Sequence, residues 1–384
     1  MAKRIIILGS TGSVGKSSLQ LLAQHKKDFQ VETLTARQNA QLLAQQAIEF
    51  KVKNVVLADA NKLAELKELL AGYDINVYGI SDDFLQSDQQ YDVAIVAVAG
   101  IAALKLISHI IGKTKILALA NKESIICAGE FILDAAKRNN TQIIPLDSEH
   151  NAIWQVLEKQ NHKHVKQVVL TASGGPFLKR NIATLKNIHP SEAVRHPNWQ
   201  MGQKISVDSA NMVNKGLELI EACLLFNLPI SQVSALIHPQ SIMHGLVYYT
   251  DGSVLAHLAD HNMQIPISTA LNYPQRTVCQ HQHIDLARLG SLRFQKINTK
   301  RFPLFFLAKQ VYRAGITARV IFNVANEVAV AAFLNGEIGF LNIDDVIKQA
   351  LEVIKQSKLS SLQDIHKFVK QTKVYSSEIV ARIR

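Results

Sequence analysis

The most constraining feature is a junction close to the N-terminus. The apolar run Ile5-Ile6-Ile7-Leu8 passes straight into Gly9-Ser10-Thr11-Gly12-Ser13-Val14-Gly15-Lys16, and a helical pattern follows. A short β-branched run that meets glycines three apart must turn there, because glycine supplies the tight turn and lets the backbone approach another group closely. The spacing is GxxGxxG rather than GxGxxG. It is not a mononucleotide loop either, since two residues separate Gly12 from Gly15-Lys16-Ser17 where that loop needs four. Taken alone, the motif also suits an ordinary glycine-rich turn. Its place at the first strand-to-helix junction of an alternating pattern favours a pyrophosphate seated on a helix N-terminus.

That alternation continues to about Leu146. β-rich runs at Ile5–Leu8, Val31–Thr35, Val55–Ala58, Val93–Ala99, Ile116–Ala120 and Ile143–Leu146 are separated by helix-like stretches such as Asn39–Phe50, Asn61–Leu70 and Phe131–Arg138. This predicts an α/β fold whose first domain, residues 1–146, is a doubly wound, Rossmann-like parallel sheet. The texture then changes to a central α+β catalytic domain over 147–272. It has a strand at Val168–Ala172, a lid loop over about 174–202, a helix from about Asn211 to Phe226, and antiparallel strands Ile242–Thr250 and Val254–Ala259 joined by Asp251-Gly252. Residues 273–299 read as a linker. A C-terminal helical bundle over 300–384 follows, with helices at Pro303–Ala314, Arg319–Leu334, Ile343–Lys355 and Leu362–Val374, the last capped at Ser361.

At 384 residues, 48% of them hydrophobic, the chain is too long for a single small binding module. Its net charge of +11 is spread along the chain without a basic stripe interleaved with aromatics, which argues against nucleic acid and for a field that draws in anionic small molecules. No apolar stretch approaches the roughly 18 residues of a membrane span, so no membrane partner is expected. Cys127, Cys223 and Cys279 lie far apart without CxxC spacing, which fits a reducing, cytoplasmic setting, with Cys127 and Cys223 as core residues. None sits in a nucleophile-like context, which disfavours an acyl-transferring semialdehyde dehydrogenase. His162-Lys163-His164 and His281-Gln282-His283 match no standard metal spacing and read as solvated segments.

The chemistry-bearing residues form several groups. The second strand ends in Arg37-Gln38-Asn39, with no acid to bind an adenosine ribose, so Arg37 suits the 2′-phosphate of NADPH; an exposed loop arginine is the plain alternative. Asp147 and Glu149 lie two apart on extended chain past the last strand of the first domain and can share a divalent metal, though alone they also suit a solvated loop. On the helix from about Asn211, Asn214 and Glu218 are i,i+4 and Lys215 and Glu218 are i,i+3, so amide, ammonium and carboxylate share a face beside Ser209. Ser173 sits at a strand end next to Gly174-Gly175. The lid carries His196 and Trp199, and a tryptophan there can cover a cofactor ring or substrate.

Together, Gly9–Gly15, Asn121-Lys122-Glu123-Ser124, Asp147-Ser148-Glu149, Ser173-Gly174-Gly175-Pro176-Phe177, His196-Pro197-Asn198-Trp199, Ser209 with Asn214-Lys215 and Glu218, and His238-Pro239-Gln240-Ser241 resemble the 1-deoxy-D-xylulose 5-phosphate reductoisomerase family, in order along the whole chain. The resemblance implies a homodimer that rearranges a small phosphorylated ketose and reduces the product with NADPH and Mg²⁺ or Mn²⁺. It implies that Asp147, Glu149 and Glu218 bind the metal. Ser173, Ser209, Asn214 and Lys215 would hold the substrate phosphate, with His196 closing over it, while Ser148 and Lys122 meet the sugar oxygens. It further implies cofactor contacts from Thr11, Gly12, Ser13, Val14, Asn39, Asn121, Glu123 and Gly202, joined by Arg37 and Gln38, with Trp199, Ser241 and Met263 around the substrate. Where the family commonly has Gly-Lys-Asn after the second strand, this chain has Arg37-Gln38-Asn39, which weakens the case for NADPH over NADH. Two other readings stay open on the residues alone: a sugar-phosphate dehydrogenase that rearranges nothing, and a dinucleotide-sensing regulator without turnover.

Overall fold

The computed structural model describes residues 2–79, 88–199, 201–277 and 283–384. They fall into two compact units, the first made of Met1–Ser124, Ile132–Asn151 and Asn262–His281, the second of Ile125–Phe131, Ala152–His261 and Gln282–Arg384.

The first unit is a parallel sheet of seven strands: β1 (Lys3–Leu8), β2 (Phe29–Ala36), β3 (Asn54–Leu57), β4 (Asn76–Gly79), β5 (Tyr91–Val96), β6 (Thr114–Leu119) and β7 (Gln142–Pro145), in the order β4-β3-β2-β1-β5-β6-β7. The order reverses between β1 and β5, the switch point at which doubly wound sheets open a crevice beyond their strand ends. Helices α1 (Ser13–Gln24), α2 (Ala40–Phe50), α3 (Leu63–Leu69), α4 (Ala103–Ile110) and α5 (Lys122–Arg138) make the crossovers. Strand β4 escaped the sequence reading because it is only four residues long and half-exposed at the sheet edge. Ile5, Ile6 and Ile7 are fully buried, as strands covered on both faces require.

Beyond β7 the chain enters α6 (Ser148–Val156). The second unit holds a four-stranded sheet of β8 (Val165–Ala172), β9 (Val233–Ile237), β10 (Met243–Tyr249) and β11 (Val254–Leu258), ordered β11-β10-β8-β9. The expected hairpin is β10–β11. Its loop is Thr250 to Ser253, with Gly252 at φ +92° and the Ser253 amide donating to Asp251 Oδ1 at 2.8 Å. The expected antiparallel pairing holds for β10 with β11 and with β8, while β9, absent from the sequence expectation, pairs parallel to β8 after the intervening crossover and makes the sheet mixed. Alternation along β8 sends Val168, Leu170 and Ala172 into one core with Leu219, Cys223, Phe302 and Phe305, and Val169 to the other face with Met243 and Leu246.

Between β8 and β9 come α7 (Pro190–Ala193), α8 (Gln203–Ala210) and α9 (Val213–Leu225). Helix α10 (Gln264–Asn272) packs on α1 in the first unit, where Lys3 Nζ donates to Leu271 O at 2.8 Å. In the stretch read as a linker, α11 (Leu286–Leu289) is followed by a bridge in which Gln295 and Ile237 exchange backbone hydrogen bonds, so part of it extends the β9 edge; Cys279, His281 and Gln282 lie outside the described residues. His162 is not simply solvated, since its Nε2 meets Phe226 O at 2.7 Å.

The C-terminal helices are α12 (Pro303–Ala314), α13 (Ile316–Leu334), α14 (Asn342–Val353) and α15 (Leu362–Ile383). Ser361 caps the last, accepting from the Asp364 amide at 3.1 Å. The sequence reading ended this helix at Val374, but Ile379 and Val380 carry the buried stripe further. The statement that no stretch is long enough to span a bilayer also needs correction. By length and composition α13 is apolar enough, because its charged and amide residues interrupt the run yet leave the mean hydropathy at 1.4; 78% of that window is buried in the protein.

Candidate active site

In the first unit the site begins at the β1–α1 turn. Gly9 sits at φ +91° with Ala97 O only 2.8 Å from where a Cβ would lie, and a Cβ on Gly15 would meet Gly9 O at 2.4 Å. These two glycines let β1 and α1 pack closely. Gly12 is different: a Cβ there finds ordinary contacts, and the residue is exposed with Ser13, while Thr11 and Val14 are half-buried. Gly12 is the N-cap of α1 and has no side chain to accept from the first-turn amides, so they face outward as an anion cradle.

Arg37, Gln38 and Asn39 are all exposed just past β2, the strand next to β1. Asn39 also caps α2 by accepting from the Leu42 amide at 3.0 Å. Asn121, buried at the end of β6, caps α5 and spends its amide hydrogens on Val98 O and Gly100 O, both at 2.9 Å, and on Glu123. Its side chain braces the loop after β5, so any cofactor contact from Asn121 passes through that loop or its backbone. Met263 is the half-buried N-cap of α10.

Asp147 follows β7 by two residues. It is not on extended chain as expected: its carbonyl accepts from the Asn151 amide at 2.8 Å, and its Oδ1 from the Glu149 amide at 3.3 Å. Aspartate is a favoured N-cap, so the helix starts here and places Glu149 in its first turn. Because β6 and β7 are parallel neighbours, the residues after them meet, and Lys122 Nζ lies 2.6 Å from Asp147 Oδ2. Ser148 Oγ donates to Glu149 Oε2 at 2.5 Å. His150, one turn on and fully buried, has Nδ1 3.3 Å from Asp147 Oδ1. It was missed in the sequence, although its i+3 spacing follows once Asp147 is read as a cap. The hard carboxylate oxygens of Asp147 and Glu149 fit Mg²⁺ or Mn²⁺, and Lys122 supplies the positive charge among the described residues.

In the second unit Glu218 accepts from Asn214 and Lys215 on α9, in the i,i+4 and i,i+3 relation the sequence predicts. Glu218 is 1% and Lys215 3% exposed. Burying an ion costs several kcal/mol, and an apolar pair in its place would contribute roughly 2 kcal/mol each, so this pair serves binding chemistry better than it serves stability. The helix begins at Val213 rather than Asn211, after Met212 at φ +65°, and Ser209 stands in the separate helix α8. Gly202, exposed, is the N-cap of α8.

Ser173 ends β8, and the glycine turn after it folds the Gly175 amide onto Ser173 Oγ at 3.1 Å. His196 Nε2 is 3.0 Å from the same oxygen. Its Nδ1 accepts from the amides of Asn198 at 3.2 Å and Trp199 at 3.0 Å. Backbone amides only donate, so the neutral ring carries its proton on Nε2 and donates to Ser173. Burial, with His261 and Lys215 nearby, pushes His196 down to about 4. Asn198 Nδ2 donates to Pro239 O and to Ser241 Oγ, which makes Ser241 a staple for this loop. Trp199 packs edge-on against His261 and His244, at 5.7 and 6.3 Å. His244 and His257 face one another from β10 and β11, a grouping that no spacing in the sequence reveals. Thus Ser173, His196 and Trp199 come together on one side of the second unit.

Comparison with known proteins places this arrangement. Models of 1-deoxy-D-xylulose 5-phosphate reductoisomerase match residues 5–129, of its C-terminal domain residues 143–226, and of the DXP reductoisomerase C-terminal domain residues 258–375. The enzyme of that name from Wolbachia sp. subsp. Drosophila simulans is 43% identical over 383 residues, covering 98% of each chain, and that from Zymomonas mobilis is 38% identical over 379 residues with the same coverage. The solved Zymomonas mobilis reductoisomerase in complex with NADPH superposes with a TM-score of 0.93 at 37% identity, covering 99% of both chains. A DOX-P reductoisomerase in complex with NADPH, fosmidomycin and magnesium gives 0.92 at 36% identity, covering 99% of this chain and 98% of that one. With its glycine cradle, paired carboxylates and buried Lys–Glu helix all in matched segments, the chain belongs to the 1-deoxy-D-xylulose 5-phosphate reductoisomerase family.

Proposed function

We propose that this chain converts 1-deoxy-D-xylulose 5-phosphate to 2-C-methyl-D-erythritol 4-phosphate, using NADPH and a divalent cation. The observation that carries the reading lies within the first unit. The amide cradle follows β1 and Asp147-Ser148-Glu149 follows β7, so in an all-parallel sheet both stand at the same, C-terminal edge. Nucleotide-binding backbone and hard metal-binding oxygens share one rim.

Thr11, Gly12, Ser13 and Val14 would hold the pyrophosphate of NADPH, with Arg37, Gln38 and Asn39 at its adenosine end and Asn121, Glu123 and Gly202 completing the contacts. By the family's pattern, Asp147, Glu149 and Glu218 would bind Mg²⁺ or Mn²⁺. When bound, the cation would polarise the substrate carbonyl and NADPH would supply the hydride. Lys122, already paired with Asp147, would stabilise negative charge on the sugar oxygens, with Ser148 beside it. Ser173, Ser209, Asn214 and Lys215 would take the phosphate, and its binding energy would orient the reacting carbons. His196 would donate its Nε2 proton to a phosphate oxygen in place of Ser173, while Trp199, Ser241 and Met263 line the remainder. The chain would act as a homodimer, as its family resemblance implies, in a cytoplasmic compartment in keeping with the buried thiols Cys127 and Cys223, with no nucleic acid or membrane partner; sedimentation at twice the chain mass tests the dimer.

The decisive experiment follows NADPH oxidation with 1-deoxy-D-xylulose 5-phosphate, with and without Mg²⁺. Turnover is expected only with both, and Asp147→Asn is expected to abolish it. Full turnover in excess chelator would instead mark a dehydrogenase that needs no cation.

A further inference from the structure

Asp208 is 1% exposed in α8, one residue before Ser209. A carboxylate at that depth is tolerated only when its oxygens are paired. Asn326 Nδ2 donates to Oδ1 at 2.8 Å, and Lys204 Nζ lies 2.7 Å from Oδ2. Lys204 rides on the same helix, one turn earlier, so it cannot locate α8 within the unit. Asn326 can, because it is fully buried on α13, the central helix of the C-terminal bundle.

The location of α8 has consequences at two places. Ser209 stands on its last turn, and Gly175 presses against that turn: a Cβ on Gly175 would lie 2.7 Å from Ser209 O and 3.0 Å from Ala210 Cα. The Gly175 amide in turn holds Ser173 Oγ, which meets His196. A shift of α8 would therefore move Ser209 directly, and Ser173 with His196 through the glycine turn. Met212 at φ +65° separates α8 from α9, so α8 is not the first turns of one continuous helix.

We propose that Asp208 and Asn326 are positioning residues for the phosphate end of the substrate, their hydrogen bond setting the height of Ser209 and the seat of the Ser173 turn. This rests on the reading above that these serines receive the phosphate. Neither residue touches substrate; both act through α8.

The test is a kinetic split. Asn326→Ala is expected to raise KM for 1-deoxy-D-xylulose 5-phosphate about tenfold while KM for NADPH and kcat stay within about threefold. Asp208→Ala should behave alike, whereas Asp208→Asn keeps an acceptor for Asn326 and should stay within about threefold of wild type. Asn323→Ala is the control: it removes a buried amide one turn away on α13 whose side-chain atoms have no hydrogen-bond partner among the described residues, and it should leave KM unchanged. The positioning role is overturned if Asn326→Ala keeps the wild-type KM in an active enzyme, if Asn323→Ala raises KM equally, or if Asp208→Asn is as damaged as Asp208→Ala. An inactive wild-type enzyme would instead sink the function proposed above. In that case the Kd for inorganic phosphate, read from tryptophan fluorescence, replaces KM and is expected to shift in the same way.

Discussion

At the scale of single residues, His196 shows how geometry decides charge. Two backbone amides occupy its Nδ1, and burial holds it down to about 4, so at neutral pH it is an uncharged donor through Nε2. His244 is likewise held down to about 4 by burial. Both values lie below the usual 6.5, so as pH falls from about 6.5 toward about 4 the unfolded chain takes up protons that the folded state refuses. These histidines therefore subtract stability across that window and have no effect on it above the window. Proton NMR of the ligand-free protein is expected to show the His196 ring titrating near 4; a midpoint at the ordinary histidine value would mean that the ring is solvated. Part of this scale was legible in advance. The Asn214, Lys215 and Glu218 set follows from helical spacing alone, because partners three and four residues apart must share a face. Asp147 was read on extended chain because it trails a strand, whereas the aspartate is itself a helix-starting signal. The histidines around Trp199 were hidden, since β10, β11 and the loop before α10 bring them together only through tertiary packing.

Among elements, long periodic segments were legible and short ones were not. The expected helix Pro303–Ala314 is the one observed, and α2 begins one residue after its cap. Strands β4 and β9, four and five residues long, carry too little pattern to stand out. Helix α8 has no counterpart among the expected helices because its buried positions include Ser206 and Asp208, so polarity masks the stripe that burial would otherwise reveal. The glycine turn after β1 separates packing from binding. Gly15→Ala drives a Cβ into the carbonyl of Gly9, so it is expected to lower the melting temperature by several degrees, in line with a cost of about 2 kcal/mol. Gly202→Ala, with nothing within 4 Å of the new carbon and an ordinary φ of −62°, is expected to leave it unchanged. Thermal melts of the two variants check the contrast, and equal melting temperatures would refute the steric argument.

For the whole molecule, the doubly wound sheet and the helical C-terminal segment follow from hydrophobic periodicity, while the grouping of distant segments does not. Residues Asn262–His281 return to the first unit, and the bundle helices share a unit with the mixed sheet, because the apolar faces left open by one segment are closed by others far along the chain. Helix α13 is the extreme case. It is greasy enough to be mistaken for a bilayer segment, and it is shielded by α12, α14 and α15, the last two of which are synthesised after it. During translation there is thus an interval in which a sticky rod has emerged without its wrapping, and holding factors that recognise such rods compete with folding until the final helix arrives. Chains stopped short of Leu362 never leave that interval. They are expected in the pellet after lysis, where the full-length protein stays in the supernatant.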